Sequence, residues 1–179
     1  MELQESQTWK NIETALNAEA RAYVEYVFYS QQAKKDDYVQ ISNIFMETAN
    51  NELRHAKLLF KMLHDNAVPH TLEGLKLARE EEHYEWAVQY KQFAEIAKQE
   101  GFEELATWFH DLAEIEHSHM DRYDQLIENL ENKVCFKRDT IQVWYCTTCG
   151  YIHVGKEAPL ICPVCKHDQG HFEIKATNF

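Results

Sequence analysis

Two segments of the chain carry the same short pattern, a glutamate followed three residues later by a histidine. The pairs are Glu52–His55 and Glu116–His119. Residues three apart lie on one face of a helix, so both side chains of a pair can reach a common ligand. Carboxylate oxygens mixed with imidazole nitrogens suit iron or manganese better than a thiolate metal. Each pair is therefore a candidate set of metal ligands.

Three further glutamates extend these pairs. Glu82 and Glu85 repeat the spacing of three, and Glu19 lies on an earlier segment. Five carboxylates buried together would be costly to desolvate and would repel one another. Two divalent cations would nearly balance that charge, so the sequence predicts a site for two metal ions. A single Glu-x-x-His in an acidic helix is usually a solvated pair, but two copies with three further acids favour the metal site.

A second metal site is predicted from four cysteines in the last forty residues of the sequence. Two Cys-x-x-Cys pairs are separated by twelve residues, and their members are Cys146, Cys149, Cys162 and Cys165. Four thiolates in this pattern form a tetrahedral site that suits zinc or a single iron. The ligand geometry alone leaves both metals open. The fifth cysteine, Cys135, has no partner in this pattern.

The first 140 residues read as helical. They contain one proline and two glycines, and apolar residues recur at spacings of three and four. This pattern predicts four long helices at about 3–35, 37–65, 72–99 and 102–133. Each helix has an apolar stripe that the glutamates interrupt near its middle. The longest connection, around Pro69, is where a crossover between helices could occur.

The remaining residues, 141–179, differ in composition. They are rich in glycine and proline, and they contain strand-like segments at Gln142–Tyr145 and Phe172–Lys175. A segment of this size is too short for an adequate core, so a metal is expected to hold it together. The sequence thus predicts a mainly α protein, with a four-helix bundle at 1–140 followed by a small metal-bound β/loop domain at 141–179.

The charge of the chain excludes several kinds of partner. The 179 residues have a formal net charge of −12, which disfavours nucleic acid and anionic membrane surfaces as partners. No apolar run is long enough to span a membrane, and the first residues do not form a signal peptide. A cytoplasmic location is expected, where cysteines bind metals more often than they form disulfides.

With these motifs in place, the chain resembles the rubrerythrins over nearly its whole length. The matching stretches in the first domain are Ala18–Ala20 with Tyr26, Asn51–Ala56, Glu82–Trp86, Ile115–His119 and Arg122–Tyr123. Those in the second domain are Cys146–Tyr151, Gly155, Ala158–Pro159, Cys162–Cys165 and His171–Glu173. The resemblance implies a ferritin-like di-iron bundle followed by a rubredoxin-like domain. It also implies iron, in an FeS4 centre, at the four cysteines.

The resemblance assigns the metal ligands residue by residue. One iron would be held by Glu19, Glu52, Glu85 and Glu116, and the other by Glu52, Glu82, Glu116 and His119. Glu52 and Glu116 would bridge the two. In the family one iron moves on reduction and exchanges a glutamate for a histidine, which here would be Glu85 and His55. Tyr26 and Tyr90 are expected to orient ligands or a bound peroxide.

One position departs from the family pattern. Many rubrerythrins have Tyr-Pro after the motif on the third helix, whereas this chain has Tyr90-Lys91. Without the proline, the third helix is expected to run unkinked.

The resemblance implies a peroxidase that reduces hydrogen peroxide to water, with electrons relayed through the FeS4 centre. No Gly-x-Gly-x-x-Gly follows a strand, so an external NAD(P)H-dependent rubredoxin-type reductase is expected to supply the electrons. The family also implies a homodimer in which one chain's rubredoxin domain faces the other chain's di-iron site. Two alternatives remain open. The first is a ferroxidase or dioxygen-reducing di-iron protein, and the second is a non-enzymatic iron- or zinc-binding protein.

Overall fold

The chain begins with two long helices joined by a tight turn. In the computed structural model, which describes residues 2–177, α1 spans Gln7–Lys35 and α2 spans Val39–Met62. Ser6 caps α1, since its Oγ accepts a hydrogen bond from the backbone N–H of Trp9 at 3.2 Å. Asp37, with φ of 64°, turns the chain into α2. A short 3₁₀ turn at Leu3–Glu5 precedes α1.

Small residues form the contact between α1 and α2. The buried residues of this pair are Ser30, Ala33, Ser42, Ala49 and Ala56. Ser30 Oγ also donates a hydrogen bond to the backbone oxygen of Ser42 at 2.9 Å. Within the described part of the chain, no side chain of these two helices larger than alanine or serine is fully buried. The larger side chains that meet across the two helices, such as Tyr29 of α1 and Phe45 of α2, are therefore only partly buried.

The remaining helices form a second group, since the chain divides between His70 and Thr71 into two separately packed units. In the second unit, α3 spans Thr71–Tyr84, α4 spans Tyr90–Gln99 and α5 spans Glu103–Glu131. Both α3 and α4 pack against α5. Among the described residues, no helix combines the length and apolar character needed to cross a lipid bilayer.

The third predicted helix is not a uniform α-helix. Residues Glu85–Gln89, between α3 and α4, form a π-helical segment. The span predicted as one helix at 72–99 is helical throughout but contains this π segment, and the absence of a kink stays a prediction. Lys91 in place of proline removes one cause of a kink, but a π segment arises from an extra residue in the turn and needs no proline.

The turn between α4 and α5 is a Schellman motif. Gly101 has a φ of 85°. Its N–H donates a hydrogen bond to the backbone oxygen of Lys98 at 3.1 Å, and the N–H of Phe102 donates one to the backbone oxygen of Ala97 at 2.8 Å. Glycine adopts this left-handed conformation without steric strain. Gly101 therefore caps the C-terminus of α4.

Three strands follow the helices in the second unit. They are β1 at Lys137–Cys146, β2 at Ile152–Glu157 and β3 at Phe172–Ile174, in the antiparallel order β2-β1-β3. Both predicted strand segments are present, but β1 begins five residues before the predicted Gln142. The strand β1 runs across the domain boundary predicted between residues 140 and 141. The boundary itself stays a prediction.

A small core supports this sheet. Trp144 is fully buried, and its indole N–H donates a hydrogen bond to the backbone oxygen of Gly155 at 3.0 Å. Phe172 and Ala158 pack with it, together with two of the cysteines, Cys146 and Cys162. The cysteines therefore belong to the core of the domain as well as to its metal motif.

Replacing Trp144 by alanine should destabilise the β domain severely. Deleting a buried Trp side chain costs about 3–5 kcal/mol, which is comparable to the whole stability of a small domain. Near-UV circular dichroism during thermal unfolding of the full chain would measure the loss. Ile141→Ala, at a strand position that is 67% exposed, is the control, and equal midpoints for the two variants would contradict the packing role of Trp144.

Candidate metal centres

The first helix pair brings three predicted ligands together. Glu19 comes from α1, while Glu52 and His55 come from α2. His55 Nδ1 lies 2.9 Å from Glu52 Oε2 and 3.6 Å from Glu19 Oε2. The hydrogen bond with Glu52 raises the pKa of Glu19, and desolvation and the negative charge of Glu52 raise it further. Two carboxylates held this close to each other are suited to bind a common cation.

The second unit contains a matching group. Glu82 comes from α3, while Glu116 and His119 come from α5. His119 Nδ1 lies 2.8 Å from Glu116 Oε2 and 3.4 Å from Glu82 Oε2. Burial raises the pKa of Glu116, and its hydrogen bond with Glu82 raises it further. Glu116 is only 8% exposed. The desolvation cost of a negative charge is therefore higher at Glu116 than at the less buried Glu82.

The two groups have the same internal arrangement, and we call them the N-terminal triad and the C-terminal triad. In each, a carboxylate from the first helix meets a Glu-x-x-His from the second, and the ligand atoms all lie within 4.8 Å of one another. The corresponding residues are Glu19 with Glu82, Glu52 with Glu116, and His55 with His119. Each triad therefore offers one metal ion two carboxylates and one imidazole.

Glu85 has no counterpart in the N-terminal triad. Three residues after Glu19 the chain has Ala22, whereas three residues after Glu82 it has Glu85, the first residue of the π segment. Burial raises the pKa of Glu85, and the negative charges of Glu116 and Glu82 raise it further. Glu85 thus lies within electrostatic reach of the C-terminal triad without being one of its members.

The two candidate tyrosines have different surroundings. Tyr26 packs against Tyr29 and Phe45, with ring centroids 6.3 Å away in both cases. The hydrogen bonds described for residues 2–177 include none from its hydroxyl. Burial raises the pKa of Tyr90, and the charge of Glu85 raises it further. Tyr90 therefore stays protonated near the carboxylates and is able to donate a hydrogen bond.

The sequence patterns did not reveal an aromatic contact next to two of the ligands. Trp86 follows Glu85, His117 follows Glu116, and their rings stack with centroids 4.1 Å apart and planes 8° apart. The Lys91 ammonium lies 4.8 Å from the centre of the Trp86 ring. This contact fixes the π segment against α5. An aromatic residue beside a ligand has no distinguishing pattern in the sequence.

The four cysteines form a compact group in the β domain. Cys146 Sγ lies 3.7 Å from Cys165 Sγ, and Cys149 Sγ lies 3.6 Å from Cys162 Sγ. A disulfide would require about 2.05 Å. A tetrahedral metal with sulfur at about 2.3 Å separates its ligands by about 3.8 Å. The thiols are therefore already at the spacing of a tetrahedral metal site.

Backbone turns hold this group in place. After each Cys-x-x-Cys pair the chain adopts a left-handed turn, with φ of 80° at Gly150 and 64° at Lys166. Burial alone would raise the pKa of Cys162, but hydrogen bonds from the backbone N–H groups of Cys165 and Val164 and from neighbouring thiols lower it to about 6. The same N–H groups would stabilise a metal-bound thiolate.

Comparison with known proteins agrees with both sites. The family model "Rubrerythrin" matches residues 10–127, and the model "Rubrerythrin, rubredoxin-like domain" matches residues 144–173. The chain belongs to the rubrerythrin family. Rubrerythrin-1 of Clostridium acetobutylicum is 42% identical over 99% of this chain and 98% of its own length. Rubrerythrins of Clostridium perfringens and Nitratidesulfovibrio vulgaris are 41% and 39% identical, and each alignment covers at least 96% of both chains.

Family membership confirms the predicted fold class and the predicted metals. The helices belong to a ferritin-like fold, and the strands with their cysteines belong to a rubredoxin-like domain. The carboxylate–histidine groups of this rubrerythrin are a candidate di-iron site, and its four-cysteine cluster is a site for one iron. Mixed oxygen and nitrogen donors fit the first, and four thiolates at tetrahedral spacing fit the second.

Glu116→Ala should remove the iron pair and leave the cysteine-bound iron in place. The substitution deletes the most buried carboxylate of the C-terminal triad, while the β domain does not depend on it. Iron-to-protein ratios with Mössbauer spectra would measure both populations, and about one FeS4 iron per chain should remain. Glu114→Ala, an exposed position on the same helix, should retain all iron. An unchanged iron pair in Glu116→Ala would mean that this ligand is misassigned.

Proposed function

We propose that this rubrerythrin is a peroxidase that reduces hydrogen peroxide to water in defence against oxidative stress. The observation that supports this proposal is the presence of two kinds of redox site in one chain. Paired carboxylate triads suit a two-electron centre, and a four-thiolate cluster suits a one-electron relay. Iron storage alone would need no relay, so the cluster favours an enzyme that turns over with an electron donor.

Reduction of hydrogen peroxide to two waters requires two electrons and two protons. Two bound ferrous ions would supply both electrons and Lewis acidity at the peroxide oxygens. The chain's own residues must then supply the protons. Glu85 is our candidate, because its raised pKa allows it to carry a proton near the C-terminal triad. Tyr90 can donate a hydrogen bond that orients a ligand or peroxide.

We further propose that the ligands divide as the triads suggest. Glu52 and Glu116, the glutamates of the two Glu-x-x-His pairs, would each serve both metal positions. Glu19 and Glu82 are terminal ligands, and His119 completes the second position. Glu85 and His55 would both be available to hold the first position, and Glu85 would be free to hold a proton whenever it is not a ligand. Tyr26, which packs beside α2, is proposed to support the ligands on α1.

The four cysteines are proposed to pass single electrons to the di-iron site. Their fixed spacing means that little rearrangement accompanies the change in charge, which favours fast electron transfer. The electrons would come from a separate NAD(P)H-dependent rubredoxin-type reductase, since the sequence lacks a dinucleotide-binding glycine motif. We also propose that the protein is located in the cytoplasm, where such a reductase and reduced thiols are found together.

A comparison of oxidants tests the proposed activity. The fully reduced protein is mixed in stopped flow with hydrogen peroxide or with dioxygen, and reoxidation is followed in the visible spectrum. We expect peroxide to reoxidise the protein at least about tenfold faster, corresponding to about 1.4 kcal/mol in activation free energy. Faster reaction with dioxygen, or turnover with ferrous iron alone, would favour an oxidase or ferroxidase instead.

Cys162→Ser should separate the relay from the reaction with peroxide. The variant loses a buried thiolate and with it the FeS4 iron, while the carboxylate ligands are untouched. Turnover with NAD(P)H and a rubredoxin reductase should fall at least tenfold, and a single reaction of chemically reduced protein with peroxide should persist. Cys135→Ser, at the cysteine outside the cluster, serves as the control. Undiminished reductase-driven turnover in Cys162→Ser would contradict the relay role.

A further inference from the structure

The π segment at Glu85–Gln89 begins with the carboxylate that lies beside the C-terminal triad. At the end of this segment the N–H of Tyr90 donates its hydrogen bond to the backbone oxygen of Glu85, five residues earlier. In an α-helix the same bond joins residues that are four apart. A helical amide can bond to either carbonyl, so the backbone alone does not fix which residues form the wider turn. Contacts of the side chains must therefore fix it.

The position of the wider turn decides where Glu85 points. Burial and the negative charges of Glu116 and Glu82 raise the pKa of Glu85, which shows that its carboxyl group lies near both. Successive residues of a helix are rotated by about 100° about its axis. If the extra residue of the π turn moved along the helix past Glu85, the side chain of Glu85 would turn by roughly that angle and leave the site.

A contact between Trp86 and Lys91 depends on the π turn. The Lys91 ammonium lies 4.8 Å from the centre of the Trp86 ring, within the range of a cation–π interaction. These two residues are five apart in the sequence. In an α-helix, residues five apart point in directions that differ by about 140°, so they do not face each other. The interaction therefore stabilises the π turn relative to a regular α-helix.

Trp86 also holds the π segment against the helices around it. Its ring stacks on the ring of His117 of α5, with centroids 4.1 Å apart and planes 8° apart. The ring of His83, from α3, meets it edge-on with centroids 5.8 Å apart. Aromatic contacts of this kind stabilise a fold beyond the area that they bury. Through Trp86 the π segment is thus joined to α3, α4 and α5.

The two stacked rings belong to residues that directly follow two carboxylates. Trp86 follows Glu85, and His117 follows Glu116. Neighbouring residues are joined by a planar peptide bond, so a fixed distance between the rings limits the distance between the backbones that carry the two carboxylates. The separation of Glu85 and Glu116 is therefore set by a contact in which neither of them takes part.

We propose that Trp86 is a positioning residue of the di-iron site. Together with Lys91 and His117 it forms a clamp, which keeps the π turn at Glu85–Gln89 and holds Glu85 where it can bind iron. Lys91 supplies the interaction that favours the π turn, and His117 supplies the anchor on α5. This inference rests on the proposed role of Glu85 as an iron ligand.

Hydrogen exchange of the full chain before the carboxylate site is loaded with iron tests the clamp by itself. In Trp86→Leu, exchange of the amides of residues 86–90 should be at least about tenfold faster, because the ring contacts are lost. Tyr84→Leu is the matched control, since Tyr84 directly precedes Glu85 and is 49% exposed. Equal exchange rates in the two variants would overturn the clamp, whatever reaction the protein catalyses.

A milder variant keeps the test valid if Trp86→Leu does not fold. Lys91→Gln alters an exposed side chain and removes only the cation. Exchange of the same amides should be about threefold faster in Lys91→Gln than in Lys91→Arg, which retains the cation. Equal rates in these two variants would contradict the role of Lys91 and, with it, the clamp.

Mössbauer spectra of the iron-loaded protein show whether the clamp acts through Glu85. Glu85→Ala provides the reference spectrum of an iron pair that lacks this ligand. Trp86→Leu should retain both irons of the pair, but one of them should show the quadrupole splitting found in Glu85→Ala. Trp86→Phe and His117→Phe each keep two aromatic rings in contact, so they should restore the wild-type spectrum. A merely structural role would lower the iron content and leave the spectrum of the remaining iron unchanged.

The outcomes separate this inference from the proposed function. A wild-type spectrum in Trp86→Leu, or a failure of Trp86→Phe to restore that spectrum, would overturn the clamp and leave the peroxidase proposal standing. Identical spectra for Glu85→Ala and the wild type would show that Glu85 is not a ligand, and the clamp would be refuted as a positioning device. If the wild type binds no iron pair, the proposed function fails, and this inference fails with it.

Discussion

Repulsion between partly buried carboxylates is the constraint on which the structure of the helical part depends. Glu52, Glu116 and their neighbours occupy positions where a soluble bundle would ordinarily place apolar side chains. Burial raises the pKa values of Glu85 and Glu116, a hydrogen bond with Glu52 raises the pKa of Glu19, and neighbouring negative charges raise all three further. Bound metal ions would remove this penalty, so binding of metal and folding of the helical part would stabilise each other.

The two metal centres are held by different means, which suits their different roles. The four thiols are fixed by backbone turns and by the Trp144 core, so their spacing matches a metal that only changes its charge. The carboxylate ligands are side chains on helices, and Glu85 lies on a π segment whose wider turn is anchored by the stack of Trp86 on His117. A site of this kind can change its ligands without disturbing the helices.

The equivalence of the two triads gives a simple account of the helical architecture. The two triads have the same composition, and Glu85 makes the surroundings of the C-terminal triad different from those of the N-terminal triad. In each unit the members of a triad come from two helices that pack against each other, so contacts within the unit already assemble each triad.

The sequence by itself determined the helices, the strand segments, the seven carboxylate and imidazole groups predicted to bind metal and the four thiols. Ligand spacing and apolar periodicity are local properties, so Glu52–His55 and Cys146–Cys149 could be recognised without coordinates. Only the tertiary structure revealed the π segment at Glu85–Gln89, the Trp86–His117 stack and the small-residue contact around Ser30. It also showed that the turn at Leu63–Ala67 is closed by hydrogen bonds. These features depend on contacts between residues and on backbone angles, which the composition and periodicity of a sequence do not encode.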